Sequence, residues 1–170
     1  MNRPETNEFA PYYNNYISLI DGDNVMPVLN SQVAEIRSIL ADVPEEKSTY
    51  AYAEGKWTIK ELLSHLIDGE RIFAYRIHRI SRGDKTPLEG FEQDDYIENS
   101  NANNRSFADL LDEFDLQRRS NLLMVNNISD EGSKRMGTAS TNPVSVRALT
   151  YVMAGHVVHH IKVLKEHYLS

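Results

Sequence analysis

The C-terminal segment constrains the fold most, because its apolar residues recur at the spacing of one helix face. From Val146 to Leu164 the steps alternate between three and four residues, which is typical of an amphipathic helix. Two positions on this stripe are occupied by His156 and His160. Residues four apart lie roughly 5–6 Å apart at Cβ. The pattern predicts a long helix whose buried face carries two metal-ligand candidates.

Three further long segments show helical spacing of apolar residues. With the C-terminal segment they predict helices over about 26–41, over about 58–82, from near Ser106 onwards, and over about 142–167. A short lead-in helix is expected from about Pro11. These elements predict an all-α fold, a four-helix bundle with a long loop at 84–105 between the second and third long helices. No linker or repeat interrupts the chain, so 1–170 is interpreted as one domain.

Helix starts are indicated by capping residues. Thr58 and Glu61 have the spacing of a capping box, and Ser106 precedes the third long helix in a similar pattern. Asn142 followed by Pro143 predicts the start of the fourth helix, since proline is favoured in a first turn.

A third histidine strengthens the metal hypothesis. His65 points within roughly 60° of Leu62, at the edge of the apolar face of the second long helix. Bundles build metal sites from inward side chains on facing helices, so His65, His156 and His160 are predicted to share one ion. His159 is an alternative to His160. The remaining alternative is that these histidines are core or surface residues without a metal.

Charged residues follow His65 on the same predicted helix. Asp68 and Glu70 are candidates for orienting a ligand histidine or for assisting proton transfer, with a solvated charged face as the alternative. Arg76 is a candidate for binding an anionic substrate, or for pairing with an acidic side chain.

Composition excludes several function classes. The chain has 18 Lys plus Arg against 25 Asp plus Glu, a formal charge of −7, which disfavours nucleic acid as a partner. It has no cysteine, which excludes disulfides and thiolate ligands from the protein. No apolar run reaches the ~18–20 residues of a membrane span. The N-terminus does not resemble a secretory signal. The chain is predicted to be cytoplasmic, without a membrane partner.

Two long motifs resemble the DinB/YfiT-like superfamily. They are residues 55–68, GKWTIKELLSHLID, and residues 155–164, GHVVHHIKVL, with ERIFAYR and GFEQDDY between them. The resemblance implies a four-helix bundle and a divalent metal, often zinc or nickel, held by His65, His156 and His160. His159 is then the intervening histidine of the family's H-x-x-H-H pattern. The resemblance also implies a homodimer and relatives that use low-molecular-weight thiols.

Two functions are expected from these features. The first is a metal-dependent enzyme, of thiol S-transferase or hydrolase type, that activates a small thiol or water for attack on a small-molecule substrate. Its metal would be zinc or nickel, with manganese or iron as further candidates. The alternative is a non-catalytic metal-binding or stress-response module in which the metal is structural. A third hypothesis is that the metal site has lost its function and that the protein binds an apolar ligand or a partner helix.

Overall fold

The computed structural model describes residues 1–169. Its long helices are α2 (Met26–Leu40), α3 (Ile59–Ser81), α5 (Phe107–Asn126) and α7 (Val146–Val163). Its short helices are α1 (Asn14–Ile17), α4 (Gln93–Glu98) and α6 (Asp130–Ser133). A two-stranded antiparallel sheet joins β1 (Met136–Ala139) to β2 (Asn142–Ser145). The protein is therefore mostly helical with one small sheet.

The predicted starts of two long helices are confirmed. The Thr58 hydroxyl accepts a hydrogen bond from the Glu61 N–H, and the Glu61 carboxylate accepts one from the Thr58 N–H at 2.8 Å. This reciprocal pair is the capping box that begins α3. At α5 the Ser106 hydroxyl accepts from the Asp109 N–H at 3.0 Å. Both caps satisfy donors that the first helical turn would leave unpaired.

The predicted start of the fourth long helix is wrong, and with it the prediction of a purely helical chain. Asn142 and Pro143 lie in β2, opposite Ala139 and Thr138 of β1. The helix begins at Val146, where the Ser145 hydroxyl accepts from the Ala148 N–H. Proline is tolerated because each strand of a two-stranded sheet is an edge strand. A hairpin turn with positive φ at Ser140 and Thr141 joins the strands.

The predicted loop at 84–105 contains α4 and packs against the rest of the protein. The Leu88 N–H donates to the Thr138 carbonyl, and the Ser140 N–H donates to the Leu88 carbonyl, each at 2.9 Å. Leu88 and Ile97 are buried. The segment is therefore fixed to the β1–β2 turn, because its backbone extends the hydrogen bonding of the hairpin.

Two apolar clusters divide the helical bundle, and each long helix contributes to both. The first cluster includes Leu29, Ile77, Val125 and Val152, and the second includes Ile36, Leu63, Phe114 and Ile161. Along the chain, α3 and α5 pass from the second cluster to the first, whereas α2 and α7 pass the other way. Thus α3 and α5 run in the same direction, and segment 82–106 must traverse the bundle to connect them.

A layer of buried polar residues lies between these clusters, and we call Gln32, Glu70 and Arg118 the polar layer. Arg118 donates from Nε to the Glu70 carboxylate at 3.0 Å and from Nη1 to Gln32 Oε1. Gln32 Nε2 donates to the Ala154 carbonyl at 2.7 Å. The layer therefore connects α2, α3, α5 and α7. Within residues 1–169 no helix is long and apolar enough to cross a membrane.

We predict that Gly155→Ala destabilises the protein by about 1–3 kcal/mol through overpacking. The added Cβ would lie 2.1 Å from the Tyr16 carbonyl oxygen, a backbone atom beside α7 that cannot rotate away. The free energy of unfolding in urea measures the effect. Gly90→Ala is the control, because its Cβ would lie at an ordinary 3.6 Å from Ser140 Oγ. Equal stability of the Gly155→Ala and wild-type proteins would contradict this close packing.

Candidate metal centre

Three buried histidines converge between α3 and α7. His65 extends from α3, and His156 and His160 extend from successive turns of α7. One ring nitrogen of each lies within 4.8 Å of those of the other two. The Nε2 atoms of His65 and His156 are 2.8 Å apart, and the ring centroids are separated by 4.7–4.9 Å. The structure therefore brings together the three residues that the sequence singled out.

The chemistry of this donor set fits a divalent transition metal. Burial lowers the pKa of His65 to about 4, and burial also lowers the pKa values of His156 and His160 well below the usual range. The rings are then neutral at pH 7, which is the form that binds metal. The buried His160 Nδ1 has no hydrogen-bond partner within residues 1–169. A cluster of neutral imidazoles with an unsatisfied nitrogen suits an ion that prefers nitrogen ligands.

His159 is separated from this cluster by its exposure. Its side chain is exposed, while His160 is buried beside His65. The His159 ring lies edge-on to Tyr16, with centroids 6.0 Å apart. The geometry thus favours His160 as the third ligand candidate. His78 and the terminal His167 are exposed, and neither belongs to the cluster.

Neighbouring residues fix the orientation of the histidine rings. Trp57 packs on His65 with ring centroids 4.7 Å apart, and Tyr16 lies edge-on to His156 at 5.7 Å. Gly69 provides the space for His156, because a Cβ there would lie 3.0 Å from His156 Cε1. The rings are consequently held from both α3 and the segment that precedes α2.

Two clefts reach the histidine cluster from the surface. The main cleft, about 490 Å³, is lined by residues that include His65, His156, Tyr16, Phe73, Arg76 and Ser140. A second cleft of about 300 Å³ is lined by residues that include Trp57 and His160. A small molecule in the main cleft would contact both α3 and α7 histidines directly.

The candidate carboxylates point away from the main cleft. Glu70 accepts hydrogen bonds from Arg118 and, at 2.8 Å, from Asn121 Nδ2. Asp68 is half-buried, lies 3.6 Å from Arg71 Nη1, and lines a different cleft. Burial raises the pKa of the Asp68 carboxyl. The structure does not bring either carboxylate into the cleft that contains His65 and His156.

Sequence reasoning missed the polar layer and the tyrosines of the main cleft. Arg118 was detectable, because it falls between Phe114 and Leu122 on the apolar stripe of α5. Tyr13 and Tyr16 lie in the segment where a lead-in helix is predicted, and both line the main cleft. Their placement depends on the packing of α1 against α7, a tertiary contact that helical spacing alone does not predict.

The chain belongs to the DinB superfamily, whose family model matches residues 29–164. This match spans both histidine motifs, most of α2 and the whole of α3, α5 and α7. A comparison with curated protein sequences gave no significant match.

Solved structures with the same fold include proteins with different described activities. YfiT from Bacillus subtilis, described as a probable metal-dependent hydrolase with an unusual four-helix bundle topology, superposes with a TM-score of 0.75 at 16% identity, covering 83% of this chain and 82% of YfiT. A mycothiol-dependent maleylpyruvate isomerase gives 0.68 at 14% identity, covering 81% of this chain but 57% of the isomerase. The colibactin self-resistance protein ClbS, in complex with double-stranded DNA, gives 0.60 at 13% identity, covering 84% and 94%.

We predict that Glu70→Gln destabilises the protein by about 3–5 kcal/mol, because it leaves the Arg118 charge buried without a counter-ion. Urea unfolding measures the loss. Asp68→Asn is the control: it removes the neighbouring carboxylate on α3 but only a solvent-screened pair, so its effect should stay within about 1 kcal/mol. Similar small effects for both variants would show that the polar layer does not stabilise the bundle.

Proposed function

We propose that this protein is a divalent-metal-dependent enzyme that activates a small thiol or water for attack on a small electrophilic substrate. The observation that carries the proposal is the cluster of three buried, neutral imidazoles, two of which, His65 and His156, line an open cleft. A site meant only to hold the fold together is normally closed by four protein ligands, whereas a catalytic site keeps a position open.

His65, His156 and His160 would hold the ion. Once bound, the metal would lower the pKa of a coordinated water or thiol toward neutrality. The protein's own residues position the reactants: Trp57 and Tyr16 fix the rings, and the main cleft receives the substrate.

The metal is proposed to be zinc or nickel, with manganese or iron as further candidates. Imidazole is a good ligand for each of the first two, and three nitrogens leave open positions in tetrahedral or octahedral geometry. The absence of cysteine from the sequence means that any thiol at the site comes from the substrate or a cosubstrate.

Proton transfer by Asp68 or Glu70 remains a prediction. Glu70 is occupied by Arg118 and Asn121, which supports a positioning role. Asp68 would need a bridging water to act on a group in the main cleft. Comparison of the pH–rate profiles of Asp68→Asn and the wild-type enzyme would test its participation.

Partner preferences are proposed on composition and on the family resemblance. The −7 charge supports a small-molecule substrate over nucleic acid, although the structural relative ClbS is in complex with DNA. A low-molecular-weight thiol is the favoured cosubstrate. A homodimer is also proposed, and the exposed Leu116 and Leu123 on α5 offer apolar surface for it.

The second candidate function is a metal-binding or stress-response module in which the ion is structural. The extensive burial of the three histidines supports this alternative. Metal removal separates the two functions. If the metal is catalytic, its removal by a chelator should abolish the reaction of a thiol with an electrophile. Circular dichroism should show that the bundle is still folded. A structural metal should be required for folding itself.

We predict that protein purified without a histidine tag contains about one equivalent of one divalent transition metal by elemental analysis. His65→Ala, His156→Ala and His160→Ala should each lose it, because each removes one of only three nitrogen ligands. His159→Ala is the matched control and should retain it, because its side chain is exposed beside the cluster.

Two results would contradict the proposed site. One is a wild-type protein that contains only traces of metal and takes none up when zinc, nickel, manganese or iron is added. The other is loss of metal from His159→Ala together with retention of metal by His160→Ala. That result would make His159, and not His160, the third ligand. In the first case the histidines would be core residues only.

A further inference from the structure

Three arginines are buried among residues 1–169, and one of them lacks a carboxylate partner. Arg118 pairs with Glu70, and Arg147 pairs with Glu8. Arg76 is only 3% exposed, yet no carboxylate forms an ion pair with it in the described part of the chain. A buried charge is costly unless it is paired and hydrogen-bonded. The contacts within residues 1–169 therefore do not explain why Arg76 is buried without a counter-ion.

The hydrogen bonds of Arg76 use only part of its guanidinium. Nη2 donates to the Glu89 carbonyl at 2.6 Å and to the Ser140 hydroxyl at 2.9 Å. Both acceptors are neutral, and Nε and Nη1 find no acceptor among residues 1–169. Guanidinium groups stay protonated in proteins. A full positive charge is therefore largely buried, while its unused donors retain some contact with solvent, because neither nitrogen is one of the fully buried atoms without a partner in residues 1–169.

Arg76 lines the main cleft together with His65 and His156. It follows His65 by eleven residues on α3, which places the two side chains within about 20° of each other around the helix. The buried Tyr13 phenol contacts Ser140 beside Arg76, and burial raises the pKa of Tyr13 so that its hydroxyl stays protonated. Cationic and neutral donors thus line the same cleft as the metal-ligand candidates, and Arg76 lies about three helical turns from His65 along α3.

We infer that the main cleft binds a small-molecule carboxylate, whose anionic end is held by Arg76 and whose other end extends to the histidine cluster. This inference rests on the proposed function in one respect: the bound acid is taken to be the electrophilic substrate of the enzyme. The ligand's carboxylate supplies the counter-charge that Arg118 and Arg147 obtain from Glu70 and Glu8. Arg76 is thereby a substrate-positioning residue, distant from the reacting atoms.

Two acidic residues at the cleft mouth do not replace this counter-charge. Glu92 and Asp94 line the main cleft but are exposed, and neither pairs with Arg76 within residues 1–169. Exposed charges are screened by water and salt, whereas a ligand carboxylate beside a buried guanidinium is screened far less. The buried guanidinium of Arg76 therefore remains the group in this cleft that would bind a ligand carboxylate.

The test measures binding of straight-chain carboxylates from propionate to octanoate, each paired with its primary amide, to the protein as purified. Ligand-observed NMR detects binding, and calorimetric titration gives the affinity. At least one acid should bind the wild type, and its amide should not. In Arg76→Gln the affinity should fall about tenfold to a hundredfold, as expected for loss of a charge-assisted hydrogen bond. Arg76→Lys should retain part of it.

Arg82→Gln is the matched control, because it removes the same charge from an exposed side chain at the end of α3 and should leave the affinity unchanged. The acid should raise the melting temperature of the wild type but not that of Arg76→Gln. Absence of binding by every acid would overturn the inference. So would equal affinity in Arg76→Gln with a lowered melting temperature, which would make Arg76 only a clamp between Glu89 and Ser140.

Metal content is measured on the same preparations, so the two proposals can fail separately. Loss of acid binding in His156→Ala, with binding retained in Arg76→Gln, would assign the acid to the metal and overturn the role of Arg76. Acid binding that depends on Arg76 in a wild-type protein free of metal would sink the proposed metalloenzyme while leaving the carboxylate site.

Discussion

The rest of the structure depends on the hydrogen bonds and the ion pair that the Arg118 guanidinium forms. It is fully buried, and it binds Glu70 of α3 together with Gln32 and the Leu29 carbonyl of α2. Gln32 in turn donates to the Ala154 carbonyl of α7. Unsatisfied donors on a buried charge are energetically costly. The four long helices are therefore aligned in the register in which all of these contacts form.

That register determines where the histidines meet. His156 follows Ala154 by two residues, so the hydrogen bond from Gln32 fixes the turn of α7 that presents the ring to His65. Burial is the main cause of the lowered pKa of His156, followed by the neighbouring histidines and then by the positive charge of Arg118. The polar layer thus positions the ring. Bundle stability and the geometry of the histidine cluster are therefore coupled through the same few side chains.

Capping residues and apolar spacing predicted the long helices whose ends depend on interactions between residues close together in the sequence. The Thr58 capping box and the apolar stripes were sufficient to place both ends of α2 and α3, and the start of α5, to within a few residues. The Asn142–Pro143 signal failed because the same residues also suit an edge strand, and pairing with β1 decides between the two. The histidine set was predictable because spacing along α7 and the edge position of His65 both follow from helix geometry. The position of Arg118 on the apolar stripe of α5 was visible in the sequence, but its partners, like the placement of Tyr13, depend on tertiary contacts.

The rotation of side chains around α3 separates the roles that sequence proximity suggested. Relative to His65, Gly69 lies about 40° away and Arg76 about 20° away, whereas Glu70 lies about 140° away. One face of α3 therefore carries His65 and Arg76, which both line the main cleft, and Gly69, which leaves space for the His156 ring. Glu70, one residue after Gly69, faces Arg118 instead. Angular position on the helix, and not nearness to His65 in the chain, decides which polar residues can act on a molecule in the cleft.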